Sequence, residues 1–153
     1  MADKTLTEKD LTDLSLRDVA KRAGVSHTAP YKHFRDKNQL LLALVQQEFK
    51  ALLSLTGEVS WRFPDHIESQ LTAIADHFFN VALKHPRKFK LLLGHVAEYT
   101  ADEVEALIQL GLKEKQAQIF WSALIGAGVH LKAQNTESFT RSLIAQILVD
   151  LKD

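Results

Sequence analysis

Ser15, Arg17, Ser26, His27, Thr28, Ala29, Lys32 and Lys37 lie within one short stretch of the chain, and their types suit contact with a nucleic-acid duplex. Thr28 can donate or accept at a base edge, and its methyl or that of Ala29 can meet a thymine methyl. Lysine and arginine neutralise phosphates and release counterions, which supplies most non-specific affinity. Such chemistry works only if a helix carries these groups into a groove. Ser15 caps a first helix whose third position is Asp18, an S-x-x-D capping box. Leu16, Val19, Ala20 and Ala23 recur at helical spacing and give that helix an apolar face. Gly24 lets the chain turn, Val25 plugs the corner, and Ser26 caps a second helix, His27–Phe34. So short a turn sets the two helices at a steep angle, the arrangement that projects the second into a major groove. His27, Thr28 and Ala29 are its first residues, the end that enters. Pro30 falls in the first turn, where a missing N–H is tolerated.

Charge is distributed to match. From Ser15 to Lys37 six basic residues face two acidic ones, a net +4 in a chain whose formal net charge is zero. A solvated basic face on a helical hairpin is the plainer reading. The Ala20–Gly24–Val25–Ser26 spacing favours DNA. Lys37, at the positive end of the next long helix, is placed for a phosphate contact. Phe34 belongs to the core, on the side of Pro30 and the Leu40–Leu44 stripe.

The run S-L-R-D-V-A-x-x-A-G-V-S followed by Y-x-H-F-x-x-K-x-x-L-L, the second half carried here by Tyr31, His33, Phe34, Lys37, Leu40 and Leu41, resembles the DNA-binding domain of the tetracycline-repressor (TetR) family. The resemblance implies a dimeric, all-helical bacterial repressor whose C-terminal domain senses a small molecule. It implies that Tyr31, His33 and Lys37 face phosphates while His27, Thr28, Ala29 and Lys32 lie nearest the bases. Family members carry a further helix ahead of this pair. Only fourteen residues precede Ser15, so that first helix is expected to be shortened.

An all-α fold is expected throughout, since no alternating stretch suggests a strand. The expected division is a helix-turn-helix headpiece over 1–45, with its motif at 16–35, and a helical effector-binding and dimerisation core over 46–153. Asn38 to Leu55 reads as a long amphipathic helix, broken at Thr56–Gly57, with loop to Pro64. Asp65 is expected to cap a helix to about Leu83, Pro86 to open one to about Tyr99, and Asp102 to start another. Two last helices follow, about Lys113–Lys132 and Glu137–Leu151.

Those two are the expected dimer interface, through Ile119, Leu124, Phe139, Leu143, Ile147 and Leu151. The first of the pair is apolar nearly all round, and a second subunit can cover one side. Trp61, Phe78, Phe79, Phe89 and Trp121 are candidates to line a pocket for a small apolar effector, although aromatics at helical spacing are more often plain core. Catalytic residues, cofactors and metal ligands are not expected. The chain lacks cysteine, H-E-x-x-H, G-x-S-x-G and a complete dinucleotide loop. The charged start MADKTLTEKD is no secretory signal and no apolar run is long enough to span a bilayer, so a bacterial cytoplasmic location is expected. The expected function is a ligand-responsive transcriptional regulator, a repressor binding a near-palindromic operator on double-stranded DNA as a homodimer. The alternative is an effector-binding or protein-interaction module whose shortened headpiece binds DNA poorly.

Overall fold

The computed structural model describes residues 36–151, and every regular element among them is helical. The chain divides into two compact units, Met1–Phe49 and Lys50–Asp153. Helix α1, Lys37–Arg62, runs through the division. Asp36 opens it: its Oδ1 accepts the Gln39 N–H at 3.0 Å, satisfying one of the orphan donors of the first turn. In the first unit Leu40, Leu44, Val45 and Phe49 form the buried stripe.

The expected break at Thr56–Gly57 does not occur. Leu52, Thr56 and Val59 continue the buried face at helical spacing, and helix persists to Arg62. Burying those side chains outweighs the cost of about 1 kcal/mol for a glycine in a helix interior. The turn comes at Phe63–His66 instead, where Asp65 takes a left-handed conformation with φ 62°. Gln70 Nε2 donates to the Phe63 carbonyl at 2.8 Å and fixes the corner. Asp65 therefore shapes the turn and caps nothing; His66 is the N-cap of α2, Ile67–Lys84, without a side-chain cap bond.

Helix α2 carries the inward face expected of it, with Leu71, Ile74, Ala75, Phe78, Phe79 and Ala82 buried. It packs against α3, Pro86–Leu93, α5, Glu114–His130, and α6, Thr136–Leu151. Pro86 starts α3 as its fixed φ and missing donor allow. The helix stops earlier than expected, because the Gly94 and His95 amides turn back to the Leu91 and Leu92 carbonyls. A separate helix α4, Val96–Leu110, then runs through Asp102, which lies exposed inside it and does not begin it. Gly111, at φ 122°, ends α4 with its amide on the Ile108 carbonyl at 2.9 Å. Gln116 ties α5 at both ends of its amide. Its Oε1 accepts the Lys113 N–H at 2.8 Å, and its Nε2 donates to the Ile147 carbonyl of α6 at 3.2 Å. A 3₁₀ turn, Ala133–Asn135, joins α5 to α6. No helix among the described residues is long and apolar enough to cross a membrane.

Candidate nucleic-acid interface and helical core

Ser15, Arg17, Ser26, His27, Thr28, Ala29, Tyr31, Lys32 and His33 lie outside the described residues. Lys37 is within them, half-buried as the first residue of α1. That is the end of the helix at which exposed N–H groups and the macrodipole favour an anion.

The aromatic residues expected at an effector site are only partly brought together. Trp61 is 70% exposed near the end of α1 and stands apart from the buried rings. Phe78 is the centre of the rest, in edge-to-face contact with Phe79 at 5.9 Å, Phe89 at 5.5 Å and Trp121 at 5.8 Å. Phe139 adds to the group through Phe79 at 6.1 Å. Such geometry aligns ring edges with ring faces, the favourable electrostatic arrangement. Gly128 makes it possible. A Cβ there would lie 2.7 Å from Phe89 Cζ and 3.0 Å from Phe78 Cε1, so only hydrogen fits beneath the rings. The Trp121 N–H is satisfied at 3.1 Å by Thr100 Oγ1 on α4.

One buried polar group was not singled out from the sequence. Glu103 is 1% exposed, on the α4 face that also buries Val104 and Leu107. Its Oε1 lies 2.6 Å from Thr56 Oγ1, and the same hydroxyl lies 3.0 Å from the Leu52 carbonyl. A threonine hydroxyl has one hydrogen to give. Both contacts are satisfied together when Glu103 is a protonated acid, donating to Thr56 while Thr56 donates to Leu52. Burial pushes the Glu103 carboxyl up to about 7, with the Thr56 hydroxyl pulling the other way more weakly. Oε2 has no partner, which a neutral carbonyl oxygen bears far better than a carboxylate. The sequence signal was present: Thr100, Glu103, Val104 and Leu107 follow helical spacing, with a glutamate in a core position.

The last two helices carry both an inward and an outward face. Leu124 and Ile147 are buried within the protomer, at 0% and 4% exposure, so they belong to its own core and offer nothing to a partner. Phe139 and Leu143 are half-buried; the Leu151 side chain lies outside the described residues. Helix α5 is not apolar on every side. Its outward face carries Lys115, Gln118, Ile119, Ser122, Gly126 and Val129, and the outward side of α6 carries Ser142, Ala145 and Val149. Gly126 has open space where a Cβ would stand. Among the described residues no cluster of histidine and carboxylate side chains is arranged to hold a metal ion.

Comparison with known proteins places the headpiece in a described class. Residues 1–44 match the family described as bacterial regulatory proteins, tetR family. An uncharacterized HTH-type transcriptional regulator of Haemophilus influenzae is 35% identical over 86 residues, 56% of this chain and 42% of that protein. The chain thus spans less than half the length of this relative. No solved structure matches.

Proposed function

We propose, because residues 1–44 match the tetR family of bacterial regulatory proteins and an HTH-type transcriptional regulator is 35% identical over 86 residues, that the chain is a ligand-responsive DNA-binding transcriptional regulator of that family, acting as a repressor on a near-palindromic operator. The observation that carries this reading is one coincidence. The family match covers residues 1–44, the segment whose capping residues, turn glycine and net charge of +4 are those expected of a groove-reading helix pair.

In this reading Thr28 and its neighbours meet base edges, and Lys37 meets phosphate at the start of α1. Dimerisation uses the outward strip of α5 and α6. Ile119 and Val129 stand out at 47% and 63% exposure, and Ser122, Gly126 and Ala145 leave room for a close helix approach. A two-fold pair of headpieces then meets successive major grooves, about 34 Å apart. Effector response belongs to the core, through the aromatic group around Phe78. Regulation by binding requires no catalytic residue.

Gel shifts on the gene's upstream DNA and on random DNA, across a salt series, test the DNA reading. Thr28→Ala is expected to cost about 1–3 kcal/mol on the preferred site and little on random DNA. Lys37→Ala is expected to weaken binding to every sequence alike and to reduce the salt slope by about 0.9. Equal loss on both DNAs for Thr28→Ala, with an unchanged slope for Lys37→Ala, overturns the assignment.

A further inference from the structure

Helices α2 and α6 leave between them a notch of about 140 Å³. The volume is close to that of an engineered cavity of about 150 Å³ that holds benzene, so a guest of roughly six heavy atoms fits. Along α2 the notch is edged by Glu68, Thr72 and Asp76, spaced by four and so aligned on one side of the helix. From α6 it receives Glu137, Thr140, Arg141 and Ile144. Three carboxylates face one guanidinium, and Arg141 is already engaged with Glu137 at 2.9 Å. The notch is therefore short of positive charge.

A second observation is independent of the acidic edge. Thr140 is only 3% exposed, and its Oγ1 is buried without a hydrogen-bond partner. Thr72, across the notch, is ordinary by contrast, donating to the Glu68 carbonyl at 2.8 Å. A hydroxyl that has lost water and gained no partner is uncommon in a folded protein. Thr140 lines the acidic notch, so a small side-chain rotation brings the hydroxyl to a donor that enters. Asp76 is exposed, yet partial desolvation, and then Glu137 nearby, raise its carboxyl above the usual range.

We propose that this notch binds a small organic cation, a short alkyl diammonium. One ammonium sits between Asp76 and Glu137 and donates to Thr140 Oγ1. The second points along α2 toward Glu68, two helical turns or about 12 Å from Asp76. The Ile144 side chain packs on the methylenes between them. A bare metal ion fits less well, since the described residues form no metal-holding cluster. None of the residues lining the notch was assigned to DNA contact or to the aromatic group, so the proposal stands or falls apart from the DNA reading.

Titration calorimetry of the full chain with 1,4-diaminobutane, in about 0.15 M salt so that loose surface attraction is screened, tests the proposal. The expected result is saturable one-site binding, with 1-aminobutane at least about tenfold weaker for want of the second charge-assisted bond. Thr140→Val keeps the side-chain shape and removes only the hydroxyl; it and Asp76→Asn are each expected to weaken binding about tenfold. Glu68→Gln, at the exposed far end, is expected to lose about threefold. Circular dichroism on each variant confirms the helical fold. No saturable heat, or equal affinity for wild type, Thr140→Val and Asp76→Asn, overturns the site. Equal binding of monoamine and diamine overturns the diammonium assignment.

Discussion

Two parts of the helical core solve burial in opposite ways. Around Phe78 the interior is rings on rings, with Phe89 and Trp121 edge-on and Gly128 beneath them. Around Glu103 the interior holds a carboxyl whose own proton serves the bond to Thr56, while the Thr56 hydroxyl gives its hydrogen to the Leu52 carbonyl. The first region is indifferent to pH and intolerant of volume change. The second depends on pH, through the Glu103 proton. The contrast shows that close packing and hydrogen accounting are separate constraints, each able to hold helices together and each breakable alone.

The largest break is expected in the aromatic region. Trp121→Ala removes a fully buried ring and its bond to Thr100, and is expected to cost about 3–5 kcal/mol in urea unfolding, with little dependence on pH.

Glu103 breaks by titration. Its folded carboxyl lies at about 7 against an ordinary 4.5, so the folded chain holds a proton that the unfolded chain has released. The stabilisation is full below about pH 4.5, is lost as pH rises toward 7, and stays lost above it. The total is on the order of 3 kcal/mol. Unfolding of Glu103→Gln, whose amide can still donate to Thr56, is expected to lack that slope when measured from pH 4.5 to 8. A slope equal to that of wild type assigns the titration elsewhere.

Two glycines on α5 sharpen the packing side. Gly128→Ala drives a Cβ into Phe89 and Phe78 and is expected to cost about 1–3 kcal/mol. Gly126→Ala meets open space on the outward face and is expected to add up to about 1 kcal/mol through helix propensity. Thermal melts at a concentration where the chain is monomeric read both. The same sign for the two substitutions removes the distinction between the faces.

Much of the helical order was legible because periodicity is a local property. The inward face of α2 and the helical reading of the last two elements follow from spacing alone. Breaks were less legible, since a glycine that ends one helix is tolerated in another. Gly57 sits inside α1 because Thr56 and Val59 are buried beside it, while Gly111 ends α4 at a positive φ. Trp61 reads as a pocket residue by type, yet the extension of α1 leaves it exposed. Leu124 and Ile147 read as interface residues by stripe, yet the inward faces of α5 and α6 claim them first.

What the sequence carries by itself is the family likeness between Ser15 and Lys37: serines, a glycine and basic residues at fixed offsets, within the segment that matches the tetR family. That likeness rests on residue types a few positions apart along the chain, so no distant contact is needed to read it. Only the tertiary structure decided what surrounds Glu103. Thr56 and Glu103 are 47 residues apart, and nothing in local spacing pairs them. A carboxyl takes its protonation state from the water removed around it and the hydroxyl brought to it, and both depend on how helices pack.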